Sequence, residues 1–529
     1  MVQARAEGAT SGRATAPARA ARLSRAELLL LIGLTATSAV VSFLDLGSRS
    51  LWNDELHSAL IAVHHGISLW SAITLDGGNM MSYYLLLHVF VALFGGGQLA
   101  LRVPSASAGV ALTPVIFFLS RRMFGLLSAT ISAAVVAVAP ALVVWNQQAR
   151  GYPLGTLLIA LSILALLRAI ECPSGRRWCV YAVLVVLSIY TLAYASMFLA
   201  AQWLVLAFWP QARRQARPIL TVVGVTTLAY VPLIFLMLRT GAAGVLSTNA
   251  PPSTTEGVHI LEELTSAVAP DFFAVTLISG IVTVIGLLCF VAAGAELLSR
   301  ARSEPGEIET ACLGIVLSWL LVPLLLDSVF SLAYRSIFNS SFLLQSVPAG
   351  AMAVAFVFSK LLPRGLSYAL AIGVVALLVA ALVPTYGISY EQWAPASRYV
   401  RTDSRRGDCL TVNKPAVASN LAYYFSLEAG ARAAPQLVLP AQTWSDALDP
   451  RFPEPASSEP LATVASRCRR LWIVLNRLSP GQFMLISGEV RWFYKHGFNR
   501  VTVSHFVPRS GFFINVAILS RQASRRAGG

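Results

Sequence analysis

Long apolar runs separated by short polar loops dominate the chain up to about residue 385. Most runs approach ~20 residues, the length of helix that crosses the hydrocarbon core of a bilayer. The pattern predicts eleven crossings, near residues 27–44, 103–120, 125–145, 153–170, 178–194, 196–210, 219–238, 271–298, 311–330, 336–359 and 366–385. Residues 27–385 are therefore expected to form a bundle of transmembrane helices.

Basic residues predict the orientation of this bundle. Pairs of arginine and lysine fall at alternate ends of the apolar runs, at residues 121–122, 176–177, 213–217, 300–302 and 360–364. Because cytoplasmic loops carry the excess of positive charge, eleven crossings place the N-terminus in the cytoplasm and the C-terminus outside. Residues 1–26, which mix arginine with Ala, Ser, Thr and Gly, are expected to be a disordered cytoplasmic tail and not a cleaved signal.

One apolar stretch, Ser82–Phe94, is too short to cross a bilayer at 13 residues. Apolar segments of about 10–14 residues more often lie at the membrane surface. Residues 45–102 are therefore expected to form one external loop with surface helices. This loop holds Asp54, Glu55, His57, Asp76 and Asn79.

The composition changes after residue 385, where polar and charged residues return. Short strand-like runs alternate there with turn signals, at Cys409–Asn413, Leu471–Leu475, Val501–Phe506 and Phe512–Leu519. Residues 386–529 are therefore predicted to form a soluble α/β domain outside the membrane. Cys409 and Cys468 are its two cysteines, and an oxidising compartment would permit, without requiring, a disulfide between them.

Composition excludes two other classes of protein. Hydrophobic residues make up 56% of the chain and charged residues only 12%, whereas a soluble globular protein carries about 25% charged residues. The net charge of +15 is concentrated in loops, where the positive-inside rule places it. No basic stripe interleaved with aromatic residues occurs, so nucleic acid is not an expected partner and the lipid bilayer is.

The most informative polar residues are Asp54 and Glu55, just beyond the first predicted crossing. Ionised carboxylates beside a bilayer are costly and usually serve chemistry or transport. Asp54 stands in the run Asn-Asp-Glu-Leu-His with no basic neighbour, so a catalytic or ligand-contacting role is expected. His57, a lone histidine, is expected to be a bystander.

The predicted topology gathers further polar residues at the same membrane face, namely Arg102, residues 146–152, Tyr190, Tyr194, Asp271, Asp327, Tyr334 and Arg335. Carboxylates with separated arginines at a lipid boundary fit a phosphate-bearing lipid, because arginine binds phosphate through two hydrogen bonds and a carboxylate takes a proton from an attacking hydroxyl. Simpler roles stay open for several of these residues. Arg102 could reach a membrane interface, Asp327 could pair locally, and the two tyrosines could belong to an aromatic belt.

Several motifs occur in a fixed order, namely the acidic pair, Asp76–His88, Leu101–Ala106, Gln147–Tyr152, and Tyr334–Arg335 followed by Ser346–Ala349. Together they resemble the glycosyltransferase C (GT-C) superfamily, and specifically bacterial relatives of protein O-mannosyltransferases (glycosyltransferase family 39) and the lipid A aminoarabinose transferase. Two departures from that pattern stand out. Residues 79–82 read Asn-Met-Met-Ser where the family has His-Pro-Pro-Leu, and Gln148 stands where the family has an acid.

The resemblance implies an all-α polytopic membrane bundle with a C-terminal extracytoplasmic α/β domain. It also implies a polyprenyl-phosphate sugar donor and a single displacement that inverts the anomeric carbon. Asp54 would be the general base, and Glu55 would orient it or the acceptor. The donor phosphate and the substrate would be held by residues from this set: Arg102, Gln148, Arg150, Tyr152, Tyr334, Arg335, Asn79 and Tyr194. Since Gln148 removes a possible metal ligand, metal-independent transfer without a cofactor is expected.

Two other functions remain open. A transporter or flippase of a lipid-linked or small envelope substrate would also need polar groups in a helical bundle. The chain shows no repeat of two similar halves, however, and its polar residues gather at one face and not at the midplane. A non-catalytic assembly or sensor protein is the third possibility. For the transferase, the sequence leaves open hexosyl or pentosyl transfer and a glycan, lipid or protein acceptor, and the expected location is a bacterial plasma membrane.

Overall fold

Helices make up most of the computed structural model. It describes residues 23–240, 253, 273–303, 307–334, 336–337, 339–386, 389–412, 414–427, 434–439, 443–448, 461–476, 488–498, 500–507 and 514–520. The predicted tail lies almost wholly outside these residues, as do Asp271 and all but two residues of the loop between 240 and 270.

The helical bundle precedes a smaller domain that contains a sheet. Its helices are α1 (Arg25–Phe43), α2 (Asn53–Ala62), α3 (Gly66–Leu75), α4 (Met81–Phe94), α5 (Gln98–Phe124), α6 (Leu126–Val138), α7 (Pro140–Asn146), α8 (Tyr152–Glu171), α9 (Gly175–Thr191), α10 (Ala195–Phe208), α11 (Pro210–Arg213), α12 (Ala216–Thr240), α13 (Phe273–Ser303), α14 (Ile308–Ala333), α15 (Ser340–Leu343), α16 (Val347–Leu361) and α17 (Arg364–Thr385). A 3₁₀ turn, Leu344–Ser346, joins α15 to α16.

Each predicted apolar segment contains helix in its described residues, but the predicted number of crossings is not confirmed. Eight helices in the described ranges are long and apolar enough to cross a membrane. The pair α6 and α7, bent by 53°, would make a ninth span. Pro140 begins α7 and cannot donate a backbone hydrogen bond, which accounts for the break. Helices α9, with 17 residues, and α10, with 14, are shorter.

Ion pairs hold several helix ends together at one face of the bundle, here called the basic face. Glu27 at the start of α1 contacts Arg121 at the end of α5, with 3.0 Å between Oε1 and Nη2. Glu309 bridges Lys360 at 2.7 Å and Arg300 at 3.2 Å. Because α1 begins and α5 ends at the basic face, the segment from residue 44 to 97 lies at the opposite face, here called the loop face.

Close helix packing brings α7 against α5 near the loop face. A Cβ atom on Gly109 of α5 would lie 2.1 Å from the side chain of Asn146, the last residue of α7. Small residues at such contacts let helix backbones approach closely. Asn146 in turn donates to Ser42 of α1 at 3.1 Å. This packing fixes the start of the segment between α7 and α8, which belongs to the candidate site.

The C-terminal domain is built on a five-stranded sheet of order β2-β1-β3-β5-β4. Its elements are α18 (Trp393–Asp403), β1 (Cys409–Val412), α19 (Pro415–Leu427), β2 (Gln436–Leu439), α20 (Trp444–Ala447), α21 (Leu461–Arg467), β3 (Arg470–Asn476), α22 (Gly488–Lys495), β4 (Arg500–Phe506) and β5 (Ile514–Ser520). Strand β1 pairs in parallel with β2 and β3, while β5 runs antiparallel to β3 and β4. The predicted α/β character is confirmed, and β2 is a strand that the sequence pattern did not indicate.

A disulfide between Cys409 and Cys468 resolves the open question about these residues. Cys409 begins β1 and Cys468 lies just before β3, so the bond joins adjacent parallel strands across 59 residues of sequence. Such a crosslink stabilises mainly by restricting the unfolded chain.

We predict that replacing both Cys409 and Cys468 with serine destabilises the C-terminal domain by about 2–5 kcal/mol. The measurement is the unfolding midpoint of the purified protein in detergent, without reductant. Cys179→Ser, at an exposed free cysteine, is the control and is expected to leave the midpoint unchanged. Equal midpoints for wild type and the double variant would contradict the prediction.

Candidate active site

The carboxylate of Glu55 and the guanidinium of Arg102 form a buried ion pair at the loop face. Glu55 lies in the first turn of α2 and is 0% exposed, while Arg102 lies near the start of α5 and is 3% exposed. Arg102 donates to Glu55 through Nε at 2.7 Å and Nη2 at 2.8 Å. This two-point contact ties the start of α2 to the start of α5.

Every polar position of this pair is used within the protein. Arg102 also donates to the carbonyl oxygens of Leu46, Arg49 and Ser50, which accounts for all five of its N–H groups. Glu55 further accepts from the backbone N–H groups of Ala149, at 2.8 Å, and Trp52, at 3.4 Å. Neither side chain has a group left for a ligand, so the geometry gives both a positioning role.

Asp54, the residue before Glu55, is in a different environment. Its side chain is 35% exposed, and its Oδ2 lies 3.8 Å from Nη2 of Arg150. Successive helix residues point about 100° apart, because a turn holds ~3.6 residues. Glu55 therefore points into the protein, while Asp54 is partly exposed beside Arg150.

A hydrogen bond from α5 to the backbone of Arg150 holds this residue in place. Its carbonyl accepts a hydrogen bond from Ser105 of α5 at 2.9 Å, and the Ser105 hydroxyl also contacts Tyr83 at 2.9 Å. Its guanidinium lies over the ring of Tyr152, 5.7 Å from the centroid. Nε of Arg150 is buried and has no hydrogen-bond acceptor among the described residues.

Burial and a carboxylate act in opposite directions on the pKa of Arg150. Burial favours the uncharged form and lowers this pKa, while Asp54 raises it, and the net direction is upward. The guanidinium is therefore a permanent cation next to Asp54.

The segment between α7 and α8 carries two glutamines with structural contacts. Gln148 accepts a hydrogen bond from Nε1 of Trp52 at 3.1 Å. Gln147 donates to the carbonyl oxygens of Val41 and Leu44, at 3.2 Å and 2.8 Å. Within the described ranges, no group of three or more His, Cys, Asp or Glu side chains is arranged to hold a metal ion.

A third carboxylate, Asp76, connects α2 to α4 near the site. Its Oδ1 lies 2.8 Å from Nε2 of His57, and its Oδ2 accepts from the hydroxyl of Tyr84 at 2.9 Å. Asn79, two residues before α4, accepts from the backbone N–H of Ala193 at 3.3 Å. Asn79 therefore joins the surface helices to the break between α9 and α10.

Aromatic rings lead from Arg150 into the bundle. Tyr152 lies 6.3 Å from Phe342, and Phe342 stacks on Tyr194 at 5.0 Å between centroids. Tyr194 neighbours Asp327 of α14, which is 0% exposed and receives a hydrogen bond from Ser331 at 3.4 Å. The structure thus brings Tyr152, Tyr194 and Asp327 into one connected set with the Asp54–Arg150 pair.

Two of the residues expected to bind substrate are not placed in this set. Tyr334 follows α14, is 74% exposed and packs edge-on against Phe330 at 5.5 Å. Arg335 lies outside the described residues. Tyr190, the other tyrosine of the α9–α10 region, donates to the carbonyl of Ala229 at 2.9 Å.

Several residues from the C-terminal part of the chain contact the site and were not predicted from the sequence. Glu391 accepts a hydrogen bond from the backbone N–H of Asn53 at 2.8 Å, and Tyr424 accepts one from Leu51 at 2.8 Å. Asn420 donates to the side chain of Asn53 at 3.3 Å. No local pattern marks these residues, because their partners lie more than 300 positions earlier.

Comparison with known proteins identifies the fold. The sequence matches the dolichyl-phosphate-mannose-protein mannosyltransferase family over residues 80–236. Among curated proteins, no sequence matches significantly. Crystal structures of ArnT from Cupriavidus metallidurans superpose on the chain, with a TM-score of 0.55 and 14% identity for the apo state over 93% of this chain and 98% of that one.

Two further structures agree with this result. The undecaprenyl-phosphate complex of the same ArnT has a TM-score of 0.52 and 13% identity, over 94% of this chain and 98% of that one. The oligosaccharyltransferase of Archaeoglobus fulgidus, in complex with zinc and sulfate, has a TM-score of 0.50 and 14% identity, over 91% of this chain and 72% of that one.

The chain therefore has the fold of these solved structures, a multi-pass helical bundle of the GT-C type. The family match over residues 80–236 agrees with the resemblance inferred from the sequence motifs.

We predict that Glu55→Gln destabilises the protein by about 3–5 kcal/mol, because Arg102 is left buried without a counter-charge. The measurement is the free energy of unfolding in detergent. Glu171→Gln breaks the more exposed pair with Arg122 at the basic face and is the matched control, with an expected cost of about 0–1 kcal/mol. Similar losses of unfolding free energy in the two variants would show that the Glu55–Arg102 pair stabilises the fold no more than the more exposed pair does.

Proposed function

We propose that the protein transfers a sugar from a polyprenyl-phosphate donor to an acceptor at the loop face, by a single displacement that inverts the anomeric carbon. The observation that carries the proposal is the pairing of a partly exposed carboxylate, Asp54, with a buried and partly unsatisfied arginine, Arg150. The family match and the GT-C fold support it.

In this proposal Asp54 is the general base. The acceptor hydroxyl gives its proton to the Asp54 carboxylate while its oxygen forms a bond to the anomeric carbon. The bond between that carbon and the phosphate oxygen breaks, and polyprenyl phosphate leaves with the electron pair. General-base help of this kind typically contributes about 10²–10⁴ to the rate.

Arg150 is proposed to bind the donor phosphate and to stabilise the charge that develops on it. Its free Nε points to a hydrogen bond with an anion, and its net-raised pKa keeps it cationic. Tyr152 and Tyr194 would line the site next to Arg150. Asn79, through its contact with Ala193, and Gln148, through its contact with Trp52, would hold the surrounding segments in place. Arg102 is proposed to position Glu55, and phosphate contacts of Tyr334 and Arg335 stay predictions.

The reaction is proposed to need neither a cofactor nor a divalent metal. Glu55 is fully occupied by Arg102 and two backbone N–H groups, and Gln148 offers an amide oxygen already bonded to Trp52. Neither residue is free to serve as an anionic ligand. The sugar is a hexose or a pentose, and the acceptor is a glycan, lipid or protein outside the cytoplasm. The proposed location is a bacterial plasma membrane with the N-terminus inside.

The first prediction of this proposal is that Asp54→Asn lowers sugar transfer by at least about 100-fold while the fold and donor binding persist. The assay incubates purified protein with radiolabelled undecaprenyl-phosphate sugars and an envelope fraction, and follows label in the acceptor. Asp45→Asn, at an exposed carboxylate earlier in the same loop, is the control and is expected to stay active. Movement of intact donor between leaflets, without covalent transfer, would instead identify a transporter.

A second prediction concerns Arg150. Arg150→Gln is expected to weaken binding of undecaprenyl phosphate by about 10–100-fold, since a charge-assisted hydrogen bond contributes about 1.5–3 kcal/mol. Arg150→Lys is expected to recover only part of the binding, because lysine lacks the planar two-point geometry. Binding of the lipid is measured with the purified variants in detergent. Unchanged binding by Arg150→Gln would exclude Arg150 as the phosphate ligand.

A further inference from the structure

The C-terminal part of the chain contacts the start of α2 at a backbone N–H that has no partner within the helix. Glu391, between α17 and α18, is 0% exposed, and its Oε2 accepts from the N–H of Asn53 at 2.8 Å. The same oxygen accepts from Nε1 of Trp393 at 2.6 Å, and Oε1 accepts from Nδ2 of Asn476 at 3.0 Å. Glu391 thus links α2, α18 and β3.

Neighbouring contacts hold the same segment. Ser50 Oγ accepts from the N–H of Ala394 at 3.2 Å, and the Leu51 N–H donates to Tyr424 at 2.8 Å. Residues 50, 51 and 53 are therefore each bonded to a residue beyond position 390. Asp54, the next residue along the chain, is not bonded to that region in any contact of the described residues. Its position depends on theirs.

Three carboxylates lie near this helix start, and each has a separate partner. Glu55 pairs with Arg102, Asp54 faces Arg150, and Glu391 accepts from the N–H groups of Asn53, Trp393 and Asn476. A negative charge at a helix N-terminus interacts favourably with the unpaired N–H groups there. Glu391 is therefore suited to fix the first turn of α2, while Asp54 stays partly exposed beside Arg150.

We propose that Glu391 is a positioning residue for sugar transfer, which holds the first turn of α2 so that the carboxylate of Asp54 faces Arg150. This inference rests on the proposed function of Asp54. It makes the C-terminal domain a structural part of the active centre. A misplacement of about 1 Å in a reacting group is enough to cost ~100-fold in rate, so loss of the Asn53 contact acts on turnover more than on donor binding.

The chain offers a matched control in Asp408. This carboxylate is also buried and also accepts from a tryptophan Nε1, that of Trp472 at 2.9 Å. Its other contacts are with Arg470 and the N–H of Arg405. Asp408 thus belongs to the same domain, and its contacts lie within that domain and not on α2.

The test compares Glu391→Ala, Glu391→Gln and Asp408→Asn in the full-length protein. Transfer is followed with radiolabelled undecaprenyl-phosphate sugars and an envelope fraction, and hydrogen exchange is measured for a peptide that covers residues 51–56. Glu391→Ala is expected to lower kcat about 10–100-fold with donor KM within about threefold, and to speed exchange in that peptide. Glu391→Gln, whose amide oxygen still accepts from Asn53, is expected to recover most of kcat.

Asp408→Asn is expected to lower the unfolding midpoint while kcat and exchange at residues 51–56 stay at wild-type values. Equal falls in kcat for Asp408→Asn and Glu391→Ala, or unchanged exchange in Glu391→Ala, would overturn the positioning role. If Glu391→Ala does not fold, Glu391→Asp serves in its place, because its shorter side chain keeps the charge but withdraws from Asn53.

Asp54→Asn, assayed in parallel, tests the proposed function of Asp54 separately from the positioning role of Glu391. An inactive Asp54→Asn together with a fully active Glu391→Ala overturns the inference alone. An active Asp54→Asn overturns the proposed function, and the positioning role with it.

Discussion

The buried contact between Glu55 and Arg102 is the constraint on which the rest of the loop face depends. Removing two charges from water is costly, and the cost is offset only when every donor and acceptor is satisfied. Here the three carbonyl groups that Arg102 binds belong to the chain leading into α2, and the N–H group of Ala149 belongs to the segment after α7. One ion pair therefore fixes three separate segments. Because this pair supplies the rigidity, the adjacent Asp54 can stay partly exposed.

Two carboxylates that are adjacent in sequence thus have opposite surroundings. Glu55 faces inward and accepts four hydrogen bonds, whereas Asp54 is partly exposed and faces the guanidinium of Arg150. Enzymes commonly separate the functions of paired acids by giving them different surroundings. The separation here follows from helix geometry, since neighbouring positions on α2 diverge by about 100°. A helix start is also the position where unpaired N–H groups receive negative charge favourably.

Hydrophobic periodicity was sufficient to predict the helices, and the alternation of basic loops was sufficient to bring Asp54 and Arg150 to one face. The break at Pro140 was not predicted, since residues 125–145 read as one continuous apolar run. The pairing of Glu55 with Arg102 could not be predicted from the sequence either, because it depends on how α5 packs beside α2. Tyr334 carries a motif typical of the family, yet its exposure depends on the rotation of the end of α14, which sequence does not define. The sequence around Glu391 does not indicate its contact with the start of α2, because its partner Asn53 lies 338 positions earlier.

The distance in sequence between Asn53 and Glu391 has a consequence for biosynthesis. A ribosome releases the start of α2 long before it reaches the segment that completes the hydrogen bonds there. Domains synthesised first generally fold first, but the contacts of this helix start form only after the final quarter of the polypeptide has been made. Only a chain that includes these C-terminal residues can therefore form every contact of this helix start. A prematurely terminated product would lack the contacts that Glu391 and Tyr424 make with this helix start.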